Sequence, residues 1–180
     1  MRSLIWFRND LRVTDNATLN AAVEASTEVI PVFVMDPHQW SEDRWGQVKT
    51  GPFRTQFLLE SLADLKSELE DLGGTLVIRQ GEPAEVLKAL ADQWSAHAVF
   101  ATAEHTREEL DRETEVGELL DLRLQEQLTM YHPDDLPFEL AQLPDVFTRF
   151  RGKMEKRSEV RDPLKEPESM AVPEGLLSDE

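Results

Sequence analysis

The sequence predicts an α/β fold: a three-layer, Rossmann-like domain with a five-stranded parallel sheet and helices on both faces. Three observations predict it. Short, unbroken apolar runs such as Leu4–Phe7 suit strands buried on both faces. Segments with apolar residues at three- and four-residue spacing alternate with them. Gly, Pro and Asp stand at the junctions. Right-handed crossovers then bring every strand C-terminus to one edge, where open α/β sheets bind ligands.

Taken in order, Ser3–Phe7 reads as the first strand and Asn16–Ala25 as the first helix, with Asp15 or Asn16 as its N-cap. Val29–Met35 is a second strand, stopped by Asp36-Pro37. A polar loop leads to Thr50-Gly51-Pro52, which opens a long helix from Phe53 to Leu72. Its Phe57, Leu58, Leu62, Leu65, Leu69 and Leu72 share one stripe, predicted to be buried, and Gly73-Gly74 ends it as a left-handed cap. Thr75–Arg79 is the third strand, Pro83–Trp94 a short helix, and Ala98–Thr102 the fourth strand. A charged helix over Arg107–Gln125 and a fifth strand at Leu128–His132 complete the pattern. From Pro133 the prolines multiply. One basic amphipathic segment spans Val146–Val160, and Lys165–Glu180 reads as a disordered tail or an interdomain linker. The division is therefore a domain over 1–133 and a connector over 134–180.

Composition narrows the function. The 180 residues contain no cysteine, which removes disulfides, zinc-thiolate sites and cysteine nucleophiles. No apolar run approaches the ~20 residues of a membrane span, and no signal peptide is visible, so a cytoplasmic protein without membrane contact is expected. The formal net charge of −17 repels phosphate backbones, whether it reflects an ordinary solvated surface or a high-salt cytoplasm.

Several catalytic signatures are missing: GxGxxG after the first strand, GxxxxGK[ST], GxSxG and HExxH. His38, His97, His105 and His132 are scattered, so no metal site is expected. The strand exits still assemble a pocket edge. Arg8, Asn9, Asp10 and Arg12 follow the first strand, Asp36 the second, and Glu104 to Glu108 the fourth, with Arg54 in the first turn of the long helix. Arginines and carboxylates there can hold a planar, hydrogen-bonding heterocycle. Against that stands an Arg8–Asp10 or Arg12–Asp15 ion pair that only holds the loop, the reading preferred for Asp10, Arg12 and Asp15. Trp40, Trp45 and Trp94 read as packing or loop-anchoring residues.

The stretch "LIWFRNDLRVTDNATL", Leu4–Leu19, resembles the N-terminal signature of the DNA photolyase/cryptochrome family. "VFVMDP" (32–37) and "TGPFRTQFLLESLADLKSELEDLGGTLVIRQGEP" (50–83) follow in the family's order. "LPDVFTRFRGKMEKRSEVRDPL" (143–164) resembles the connector of DASH-type cryptochromes. The resemblance implies an antenna domain that carries a light-harvesting chromophore, methenyl-tetrahydrofolate foremost or else a deazaflavin. Its partner would be a helical C-terminal domain that binds FAD and, alone of the two, DNA. The parent would be a deoxyribodipyrimidine photo-lyase performing light-driven repair of cyclobutane pyrimidine dimers, or a blue-light sensor. Nothing in the chain resembles the helical domain, so no catalytic residue is expected here.

The deazaflavin-type pocket maps by resemblance to Arg8, Asn9, Phe33, Val34, Asp36, Arg54 and Glu104. The folate-type pocket maps to Glu104 through Glu109, with Glu108 as the carboxylate on the pterin. Arg107 stands where the commoner bacterial folate pattern has a carboxylate. Two other readings compete: a standalone, non-catalytic binding or interaction module, and a nucleotide-binding α/β hydrolase.

Overall fold

A computed structural model describes residues 1–42 and 44–176. Its elements are β1 (Arg2–Phe7), α1 (Ala17–Ala25), β2 (Glu28–Met35), α2 (Pro52–Asp71), β3 (Val77–Gln80), α3 (Pro83–Trp94), β4 (Ala98–Thr102), α4 (Arg107–Leu119), β5 (Leu122–Gln125) and α5 (Phe147–Arg157). The strands form one parallel sheet in the order β3-β2-β1-β4-β5.

The period-two alternation of each strand builds two cores. Ile5 and Phe7 of β1 and Phe33 of β2 face α1 and α2, meeting Leu19, Ala22, Leu62, Leu65 and Leu69. Leu4 and Trp6 of β1, with Ile30, Val32 and Val34 of β2, face the other way onto Leu87, Leu90 and Ala91 of α3 and Val116 of α4. Burial on both faces explains why these strands read as continuous apolar runs. Pro31 sits in a central strand yet costs little pairing, because it falls where β2 pairs with β1 alone, before β3 joins at Val32.

The helix boundaries follow their signals. Of the two candidate caps for α1 it is Asn16 whose side chain accepts from Leu19 N. Gly51 caps α2 with Pro52 in its first turn, and Gly73, at φ +86°, ends it in the left-handed conformation.

Three predicted features need correction. First, α4 stops at Leu119, and the fifth strand is Leu122–Gln125 rather than Leu128–His132, which lies outside any strand. An edge strand is half-exposed and alternates Leu with Arg and Gln, so it blends with the preceding charged helix. Second, the α2 stripe is buried only at Leu62, Leu65 and Leu69; Phe57 is exposed at the end that borders the pocket. Third, the described part of Lys165–Glu180 lies on the domain, which removes the disordered-tail alternative and leaves the linker alternative as it was. Met170 is buried against the α1–α2 core, its N–H donates to Leu72 O at 2.8 Å, and Val29 N donates to Ala171 O at 2.8 Å. Asp15 N and Leu164 O, and Leu164 N and Asp15 Oδ1, close a reciprocal pair at 2.9 and 3.0 Å. The end of the predicted tail, 177–180, lies outside the described residues.

Candidate functional site

The strand order reverses between β1 and β4, and their C-terminal ends open a crevice at that switch point. A cleft of about 980 Å³ occupies it. Arg8 and Asn9, Phe33, Val34 and Asp36, Arg54, Glu104 and Glu108 all line this cleft, whereas Asp10, His105, Thr106 and Arg107 do not.

The floor is a buried charge cluster. Arg8 lies over the Trp6 ring, 4.6 Å from its centroid. Its Nη2 donates to the Thr102 carbonyl and, at 2.5 Å, to Glu113 Oε1. Its Nη1 stands 3.8 Å from Glu104 Oε2, beyond hydrogen-bond reach. Asn9 Nδ2 donates to the other Glu104 oxygen at 2.7 Å. Burial raises the pKa of the Glu104 carboxyl, although Arg8 and Asn9 pull the other way. Among the described residues, Arg8 Nε and Nη1 and Glu109 Oε2 are buried without a hydrogen-bond partner. Such atoms are costly unless a ligand or water meets them.

Around the floor, Phe33 and Val34 supply an apolar wall, while Arg54 and Phe57 stand on the α2 side. Asp36 does two jobs: it accepts from His38 N at 2.9 Å and pairs with Arg112 Nε at 3.2 Å. Glu108 is engaged by Lys49, an exposed pair linking the loop before α2 to the start of α4. Asp36, His38 and Glu82 approach one another as metal ligands would, but Arg112 already supplies a cation to both carboxylates, 3.2 Å from each.

Beside the cleft, the N-terminus of α1 is filled. In many open α/β proteins this position receives a phosphate. Here Gln127 Oε1 accepts from Ala17 N at 2.5 Å and Asn16 Oδ1 from Leu19 N at 3.0 Å. The Asp10 carboxylate, 1% exposed, accepts from Arg8 N at 2.9 Å, from Gln127 Nε2 at 3.1 Å and from Thr102 Oγ1. A carboxylate here disfavours phosphate and weighs against the nucleotide hydrolase reading. Asp10 thus holds the loop as expected, though through the Arg8 backbone and not its guanidinium. Arg12 likewise grips the Asp15 carbonyl at 2.8 Å instead of its carboxylate. Trp40 anchors its loop through Nε1 to Thr55 Oγ1 at 2.9 Å, while Trp45 is largely exposed beneath Arg44.

Sequence reasoning missed Glu113, Arg112 and Gln127. The first two sit on α4 at positions that read as a solvated face. Gln127 follows the strand whose register was misplaced. Glu109 lay within the mapped folate segment, but its neighbour Glu108 drew the assignment.

This architecture, a doubly wound parallel sheet with a polar cleft at its switch point, is that of an open α/β domain, a class in which ligands bind outside the strand C-termini. The DNA photolyase family profile matches residues 3–168, and the chain belongs to that family. It is 43% identical to the cryptochrome DASH of Natronomonas pharaonis over 179 residues, covering 97% of this chain and 38% of that protein. It is 40% identical to the cryptochrome DASH of Gloeobacter violaceus, covering 91% and 34%. A cryptochrome structure from Synechocystis superposes with a TM-score of 0.92 at 32% identity, covering 99% of this chain and 38% of that one. The archaeal photolyase of Sulfolobus tokodaii shares the fold, with a TM-score of 0.81 at 24% identity. The chain corresponds to the N-terminal α/β domain of a photolyase or cryptochrome and spans about a third of the length of its DASH-type relatives. No helix among the described residues is long and apolar enough to cross a membrane.

Proposed function

We propose that the switch-point cleft holds an antenna chromophore, methenyl-tetrahydrofolate in the first place and a deazaflavin as the alternative. The chromophore's own chemistry is to absorb light and pass the excitation to an acceptor. The carrying observation is the set of buried polar atoms at the cleft that have no partner among the described residues: two guanidinium nitrogens of Arg8, Nε and Nη1, and one oxygen of Glu109. A planar heterocycle that offers a ring acceptor to Arg8 and an N–H donor to Glu109 satisfies them. Asn9, Glu104 and Asp36 add polar contacts, Phe33 and Val34 the apolar wall, and Arg54 a cation for an anionic tail. Glu108 serves only when Lys49 releases it.

In the longer protein the acceptor is FAD in a helical C-terminal domain, reached through a connector over 134–180, and the parent activity is light-driven repair of cyclobutane pyrimidine dimers or blue-light sensing. DNA is engaged through that second domain, since this one carries the net charge of −17. The setting is cytoplasmic. Absorbance titration of the purified chain with methenyl-tetrahydrofolate and with a deazaflavin tests the reading. A saturable spectral shift with one of them supports it, and no shift with either removes it.

A further inference from the structure

We propose that Glu113 is the fixed counter-ion of Arg8, a positioning residue that leaves Glu104 free to meet a bound heterocycle. The inference rests on the cleft's being a chromophore site only for the identity of that heterocycle. Two carboxylates flank one guanidinium, and they are not equivalent. Glu113 Oε1, on a side chain 7% exposed, takes Arg8 Nη2 at 2.5 Å and the backbone N–H of Glu104 at 2.9 Å. One carboxylate therefore clamps both the guanidinium and the strand exit opposite it. Glu104 is held off, with its Oε2 3.8 Å from Arg8 Nη1 and its Oε1 occupied by Asn9.

The consequence is a floor with separate functions. Arg8, neutralised from behind and stacked on Trp6, keeps Nε–H and Nη1–H as unspent donors buried in the cleft floor. Glu104 keeps one oxygen for a ligand N–H. Its other charged neighbours are Asp10 on the β1 exit and Glu109 on α4, both of which oppose its ionisation. His105, next in sequence, turns outward to Glu126 at 3.6 Å. A ligand with adjacent acceptor and donor positions on one ring edge fits, and a purely apolar one does not.

Carboxyl-carbon NMR of the wild type and Glu113→Gln tests the division of labour, with Glu113→Asp in its place if the amide variant does not fold. Without its clamp, Arg8 turns to Glu104, and the Glu104 titration midpoint should fall by about one pH unit or more. Methenyl-tetrahydrofolate should bind about tenfold more weakly to the variant. In wild type the same compound should move the Glu104 carboxyl resonance and leave that of Glu113 in place. An unmoved or raised Glu104 midpoint, or a ligand response at Glu113 without one at Glu104, overturns the proposal. If wild type takes up neither methenyl-tetrahydrofolate nor a deazaflavin, the chromophore reading fails by itself, and the titration comparison still decides the role of Glu113.

Discussion

The side-chain amide of Gln127 reaches the buried carboxylate of Asp10, with Nε2 3.1 Å from Oδ2, and joins the segment after β5 to the exit of β1. The same amide donates to Thr102 Oγ1 at 2.5 Å, and Thr102 Oγ1 lies 2.9 Å from Thr18 Oγ1. The network fastens the ends of β1 and β4 and the start of α1 at one point, directly beside the cleft. Asp10→Ala strands several buried donors at once and should cost about 2–3 kcal/mol of stability by urea unfolding. Gln127→Ala, which leaves Asp10 two of its donors, should cost less.

The C-terminal strap makes a second stability claim. Met170 is 7% exposed and lies over Gly74, where an added Cβ would collide with its sulfur and stand 3.1 Å from the Leu69 carbonyl. Met170→Ala should lose about 2–3 kcal/mol. Gly74→Ala should also destabilise, and less so in the Met170→Ala background, because half of its clash is then gone. Strict additivity of the two would contradict this packing.

Stability should respond to pH through Glu104. Its carboxyl is raised from the ordinary 4.5, chiefly by burial. The native state then binds more protons than the unfolded chain between the ordinary value and the raised one. Stability falls as pH rises across that interval. Glu104→Gln removes the buried charge and keeps an oxygen for Asn9. It should unfold at higher urea concentration than wild type near pH 7, with the difference closing below about pH 4.5.

Glu108 and Glu109 are neighbours with different prospects. Glu108 is exposed and paired with Lys49, whereas Glu109 carries a buried oxygen with no hydrogen-bond partner among the described residues. Glu109→Gln should raise the dissociation constant for methenyl-tetrahydrofolate about tenfold or more, and Glu108→Gln by much less. Lys49→Ala should change stability by less than about 1 kcal/mol, as befits an exposed ion pair.

Much of the architecture was legible because burial on both faces writes a strand as a plain apolar run. α3 and β4 come out at their predicted bounds, and the helix starts at Asn16 and Gly51 follow from side-chain caps and Pro52. β5 was not legible, since Leu122–Gln125 is an edge strand whose Arg123 faces solvent and looks like more helix. The site residues on strand exits were found because chain order dictates where strands end. Glu113 and Arg112 were not, because nothing in an acidic helix marks which of its charges turns inward. Their partners, Arg8 and Asp36, are supplied only by the fold. The C-terminal strap was missed for a similar reason: Met170, Ala171, Val172 and Leu176 stand between prolines and glutamates, and so short an apolar group sets no helical or strand period.

On the proposed reading, the crevice between the ends of β1 and β4 receives the chromophore. Backbone amide NMR of the chain, titrated with methenyl-tetrahydrofolate and in parallel with a deazaflavin, tests it most directly. Saturable shifts should concentrate at Arg8, Asn9, Asp36, Glu104 and Glu109 with at least one of the two compounds. Shifts confined to another surface, or none with either compound, would contradict it.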